Sequence, residues 1–313
     1  MKFSKIAAVL FVMVFVFSLI GPVSAAEKVR VGYLHTLAVD GQFWIAMEKG
    51  YFKEQGLEME PIQFTSGVPM MQALSGGSVD VAIMGAVISN FPSRGVGKAF
   101  LINNIEYDTA MLFAGPDTKA KSIQDVKGQK IATVKGTTAH VFLHTALKAN
   151  GMDSTKDVSI VSMDMAGAVT AFISGAVPYV ATWAPFNVQI REKVPGAILL
   201  SSAKEFYPGA AIIGGWVATN DVYNNRKDML KKIVKAWVPA NDYLVGKPDE
   251  ALKLIHTKAY SNIPFSDIQT SWDAEKCQTS QEWAKMYTDG TVAKWLGQVE
   301  MVFVEIGSIG NWV

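Results

Sequence analysis

Cysteine is nearly absent from this chain of 313 residues: Cys277 stands alone, so no internal disulfide is possible, and the expected role is that of a small buried hydrophobe. Histidine is almost as scarce, with only His35, His140, His144 and His256. His140 and His144 share a helical i, i+4 spacing, but a zincin would need Glu at 141, where Val141 stands. No metal and no cofactor are therefore expected. An excess of one charge is also missing, with 29 basic against 28 acidic residues. That balance argues against nucleic acid or lipid headgroups as partners. A phosphate-binding loop is lacking, because Gly97-Lys98 is followed by Ala99 and has no glycine at the required place upstream. The apolar run from Ile6 to Ile20, interrupted only by Ser18, falls short of the ~20 residues that a membrane span needs. Lys2 and Lys5 precede it and Gly-Pro-Val-Ser-Ala-Ala follows, which is the pattern of a signal peptide over residues 1–25, cleaved after Ala25 or Ala26. No cysteine lies near that point to carry a lipid anchor. The expected product is a free, monomeric periplasmic protein with one net negative charge.

Half of the residues are apolar, enough for two core-bearing lobes. Short strands at Val29–Tyr33, Leu57–Phe64 and Val79–Met84 alternate with helical stretches at 43–49 and 69–74, which predicts an α/β lobe with a mostly parallel sheet flanked by helices. The succession recurs about 100 residues later. Ala73-Leu-Ser-Gly-Gly-Ser-Val79 aligns with Ala171-Phe-Ile-Ser-Gly-Ala-Val177, and at a similar offset Gly85 corresponds to Trp183 and His35-Thr36 to Gly136-Thr137. Two related lobes are expected: residues 26–107 for the first part of lobe 1, 108–210 for lobe 2, and 211–313 for the return to lobe 1, where the helices after Asp228 should pack. Ligands of open α/β sheets bind beyond the carboxyl ends of the strands. Facing lobes would bring these loops to one interlobe cleft, hinged near 106–109 and 207–213.

The stretch Val134–Gly151 places Gly136, Thr137 and Thr138 between an apolar strand and a helix whose stripe is Ala139, Phe142, Leu143, Ala146 and Leu147. Threonine at that junction can cap the helix. The same junction can also hold an anionic group, since a helix N-terminus offers free N–H donors and a positive dipole end. Glu106, at the first crossing between lobes, could accept a hydrogen bond from a substrate ammonium, or it could be a solvated hinge charge. Arg94 and Lys98 read as surface residues, and Met70, Met71, Met84, Met163 and Met165 as core filling.

Val31-Gly-Tyr33, Lys49-Gly-Tyr-Phe-Lys-Glu-Gln-Gly-Leu57, Gln72-Ala-Leu-Ser-Gly-Gly-Ser-Val-Asp80, Asp125-Val-Lys-Gly-Gln-Lys130, Gly136-Thr-Thr-Ala-His140 and Trp183-Ala-Pro-Phe186 occur in the order in which they stand in one family. On these residues the chain resembles the aliphatic-sulfonate, taurine and nitrate branch of periplasmic solute-binding proteins, the type II clamshell receptors of ABC importers. It departs from the branch at Pro178, Tyr179 and Ala184. The resemblance implies that the loop after Lys135 holds an anionic group, that Trp183 walls the pocket, and that the partners are a small organic anion or zwitterion and the membrane subunits of a permease. The candidate ligand-binding set is His35, Thr36, Gly85, Ala86, Glu106, Gly136, Thr137, Thr138, Ala139, His140 and Trp183, with no catalytic residue. An enzyme on the same fold, related to thiamin-pyrimidine synthesis, is the alternative. Such relatives look cytosolic and cysteine-rich at the site, unlike this chain.

Overall fold

The computed structural model describes residues 25–309; the signal-peptide expectation over 1–25 lies, but for Ala25, outside them. The chain opens with strand β1 (Glu27–Leu34), helix α1 (Leu37–Glu48), β2 (Leu57–Phe64), α2 (Gly67–Ser75), β3 (Val81–Met84) and β4 (Lys98–Ile105). It continues through β5 (Ala110–Ala114), β6 (Lys130–Thr133), α3 (Thr138–Ala149), β7 (Ser159–Ser162), α4 (Met165–Ile173), β8 (Tyr179–Trp183), α5 (Phe186–Lys193) and β9 (Ile198–Ser202). Strand β10 (Ile213–Ala218) precedes helices α6 (Lys227–Gly246), α7 (Pro248–Lys258), α8 (Phe265–Asp273), α9 (Ser280–Thr288) and α10 (Thr291–Glu305).

These ten strands form two sheets, ordered β2-β1-β3-β10-β4 and β7-β6-β8-β5-β9. In the first, β1 pairs in parallel with β2 and β3, and β10 runs antiparallel to β3 and β4. The second repeats the scheme, with β5 as the reversed strand between β8 and β9. The alternation of strands and helices marks the parallel part of each sheet. The reversed strand is the one that arrives through a crossing, so local sequence carries no sign of its direction. Strands β3 and β8 are buried along their whole length, as strands covered on both faces must be, and this accounts for their unbroken apolar runs. Helices α2 and α4 are displaced by one constant offset of 98 residues (67 to 165, 75 to 173). The two lobes are therefore copies of one β-α-β-α-β plan.

Each lobe has its own core. Phe43, Phe52, Trp216 and Trp237 belong to the first, and Phe113, Phe142, Phe172 and Val180 to the second. The two crossings run side by side, since the Glu106 N–H donates to the Ile212 carbonyl at 2.8 Å. Helix α6 buries Ile233, Trp237 and Leu244 in the lobe 1 core. The last helix goes further than the sequence pattern suggests. Trp295 sits in the lobe 1 core, while Val299 and Phe303 enter the lobe 2 core. Beyond them Glu305 meets α3, with Oε2 2.7 Å from His144 Nε2 and Oε1 2.6 Å from Lys148 Nζ. Helix α10 is thus a third link between the lobes.

Candidate functional site

A cavity opens between the lobes at the carboxyl ends of their central strands. Thr36, Gly85 and Glu106 line it from the first lobe, and Thr137, Thr138 and Trp183 from the second. These six are the candidate residues that the fold brings together. Three helices begin at this cavity: α1 with Thr36 to Val39 on the lining, α2 with Gly67, and α3 with Thr137 and Thr138. At none of the three does the N-cap side chain, Thr36, Ser66 or Thr137, make a capping hydrogen bond. The first N–H groups of a helix have no partner inside it. Three such ends, each with the positive pole of its dipole, face one small volume. Helix α4 is the internal control: its start is exposed, and there Asp164 caps the Gly167 N–H at 2.9 Å.

The two threonines that read as possible caps are engaged otherwise. Thr137 Oγ1 donates to the Val134 carbonyl at 2.7 Å, and Thr138 Oγ1 accepts from the Ala86 N–H at 3.1 Å. The second bond joins one lobe to the other. Gly136 has φ +75°, a left-handed conformation that favours glycine, and it turns the chain from β6 into α3. Gly85 is held to glycine for another reason. A Cβ there would stand 2.5 Å from Thr138 Oγ1 and 2.8 Å from Glu106 Oε1.

The other five candidates support the walls rather than lining them. His140 is 4% exposed, and its Nδ1 accepts from the Gly136 N–H at 3.1 Å. Burial, with the nearby charges of His144 and Lys135, lowers its pKa to about 4, so the ring is neutral and tethers the turn. Ala139 belongs to the lobe 2 core; one helical step is about 100°, which carries residues 139 and 140 away from the cavity that residue 138 faces. Gly136 contributes only its turn. Ala86 packs its methyl into the lobe 2 core and presents its N–H to Thr138. His35 stacks on Tyr260 with ring centroids 3.9 Å apart, and its Nδ1 lies 3.1 Å from Asp40 Oδ2.

The lining also includes Ala184, noted in the sequence only as a departure from the branch, and residues not singled out from the sequence: Thr109, Ser271 and Glu275, with apolar Leu34, Leu37 and Val87. Thr109 stands three residues after Glu106 and donates to its Oε2 at 2.5 Å; that spacing was readable in the sequence. Ser271 on α8 and Glu275 just past its end come from the C-terminal region, which has no counterpart in the repeat and so offered no signal. Glu106 is 6% exposed, and burial raises its pKa above the usual carboxyl range. Glu275 is raised further, by burial and then by the charges of Glu106 and Asp40. Cys277, expected as a small buried hydrophobe, is half-buried; its Sγ donates to Glu275 Oε2 at 3.6 Å, and burial pushes the thiol pKa well up. Arg94 and Lys98 are exposed. Among the described residues no group of three or more His, Cys, Asp or Glu is placed to hold a metal, and none of the helices is long and apolar enough to cross a membrane. His144 is occupied by Ser154, 2.8 Å from its Nδ1, and by Glu305.

Two α/β lobes joined by adjacent crossings, with one cavity lined from both, define the periplasmic binding-protein fold. The crystal structure of the periplasmic aliphatic sulphonate-binding protein of Escherichia coli superposes with a TM-score of 0.70 at 18% identity, covering 92% of this chain and 90% of that one. The chain belongs to the NMT1/THI5-like family, whose pattern matches residues 41–251. Among its relatives, the taurine-binding periplasmic protein of E. coli is 25% identical over 250 residues, 78% of this chain and 76% of that one. A Brucella abortus chain named as a binding protein is 28% identical over 281 residues, 90% and 86% of the two.

Proposed function

We propose that the protein is the solute-binding component of an ABC uptake system in the periplasm, closing its lobes on a small organic anion or zwitterion of the taurine or sulfonate kind and delivering it to a membrane permease without transforming it. One observation carries this reading: three helix N-termini, uncapped by side chains and drawn from both lobes, meet at one cavity. Such a convergence suits a sulfonate or carboxylate, which accepts several N–H bonds at once. A solute held from both sides stabilises the closed arrangement by its differential contacts with the two lobes. The Thr138–Ala86 bond adds to closure without the solute. Relatives named for binding taurine and sulfonates support the solute class.

Small-angle scattering and calorimetry with taurine, alkanesulfonates, carboxylates and nitrate test the reading. The expected result is saturable binding of one class with a decrease in radius of gyration and no loss of the solute on incubation. Unchanged scattering profiles with every compound, or turnover of a bound one, overturn it.

A further inference from the structure

We infer that the solute presents a cationic nitrogen to Glu106 and Glu275, so that the pocket selects a zwitterion and rejects a plain anion. The inference rests on the receptor reading and narrows its substrate class. Both carboxyls line the cavity, and no Lys, Arg or His stands with them among the described lining residues. Glu106 is fixed at the first crossing. Thr109 engages its Oε2, while its Oε1 lies beside Gly85, where only the missing Cβ leaves room. Glu275 comes from the C-terminal region, just past the end of α8. Its Oε1 is shut off from solvent with no hydrogen-bond partner among the described residues, and its Oε2 accepts only from a thiol, a weak donor.

The cations that could neutralise this pair are engaged elsewhere. The Lys276 ammonium lies over the rings of Tyr107 and Tyr207, 5.4 and 5.2 Å from their centroids. Lys204 Nζ is 2.7 Å from Asp108, and His35 is paired with Asp40. A buried carboxyl oxygen without a donor is unfavourable, and a charged N–H donor offsets that with the strongest class of hydrogen bond. Trp183 stands on the same lining, and an indole is the aromatic ring that attracts a cation most strongly. The lining thus combines helix N-termini, which suit an anionic group, with two carboxyls, which suit a cationic one. A monoanion such as nitrate or ethanesulfonate meets the first set but leaves the second unpaired. A bridging ammonium also ties the hinge segment to the C-terminal region, which a purely anionic contact at α1 to α3 does not do.

The test uses matched pairs that differ in the amine: taurine against ethanesulfonate, β-alanine against propionate, and aminomethyl heterocycles against their methyl counterparts, read by thermal shift and calorimetry on the whole protein. In at least one pair the amine-bearing member is expected to bind at least tenfold more tightly. Glu275→Gln and Glu106→Gln should each weaken that member roughly 10- to 150-fold, the range for bonds to charged groups. Neither should lower the melting temperature of the unliganded protein, because each removes a buried ionisable group and keeps its shape. An amine-free anion that binds as tightly as its partner, with both variants indifferent, overturns the inference and leaves the receptor reading standing. Failure of every compound in both members of every pair overturns both.

Discussion

The two lobes follow one plan, but the ends that meet across the cavity have diverged, and the divergence separates what supports a lobe from what serves the site. At one position of the repeat Ser66 starts α2 without a capping bond where the helix faces the cavity, and Asp164 starts α4 with one where the helix faces solvent. At another, lobe 1 carries Gly85 and lobe 2 carries Trp183; one clears space for Thr138 and Glu106, and the other fills a wall. Behind the cavity, Asp80 pairs with Arg30 and Arg226 at 3.0 and 3.2 Å and so fastens the returning chain to lobe 1, whereas lobe 2 has Pro178 at the equivalent place and is reached by the C-terminal region through α10. A side-chain cap is thus present where a helix start faces solvent, and missing at the equivalent start that faces the cavity.

Acid should break the comparison most strongly. His140 has no titratable counterpart in lobe 1, where Val39 holds the equivalent early position of α1. With a folded pKa of about 4 against an ordinary value near 6.5, the unfolded chain binds the proton first. The resulting stability is complete above pH ~6.5 and is lost as the pH falls toward 4, by about 3 kcal/mol. Urea unfolding at stepped pH should show His140→Gln losing less stability than wild type across that window; parallel curves would show that the buried ring does not control the acid response.

The next effect concerns the Gly85 and Trp183 pair. Gly85→Ala should lower the melting temperature of the unliganded protein only slightly, since the Glu106 carboxyl is the far end of a flexible side chain and the lobes can stay apart, yet it should weaken solute affinity roughly 5- to 150-fold, because the methyl meets Thr138 of the other lobe on closure and overpacking of this kind costs ~1–3 kcal/mol. Calorimetry with scattering reads both quantities, and full affinity in the variant would show that the cleft never becomes this tight.

The smallest effect sharpens the helix comparison. Asp164→Ala should lower stability by about 1 kcal/mol, the usual loss for a cap, with affinity intact. Ser66→Ala, lacking a capping bond to lose, should change stability by only a few tenths of a kcal/mol. Equal losses in denaturant melts would show that the start of α2 is capped in solution after all.

Much of the lobe plan was written locally. Strands such as Val81–Met84, glycine turns such as Gly76-Gly77 and the offset that links Ala73–Val79 to Ala171–Val177 depend on hydrophobic period and turn chemistry, which act between near neighbours. So do Gly136, Thr137 and Thr138 at the start of a helix, and placement of Thr36, Gly85, Glu106 and Trp183 at strand ends or crossings followed from the α/β pattern. Tertiary structure alone decided which side of that first turn meets the cavity, turning His140 inward as a tether and Thr138 outward to Ala86. It alone reversed β5 and β10 between their neighbours, sent α10 across to the second lobe, and brought Glu275 beside Glu106 from 169 positions along the chain (106 to 275). Those outcomes depend on which surfaces remain to be buried once both lobes have formed, and contacts between distant segments leave no periodicity in the residues that make them.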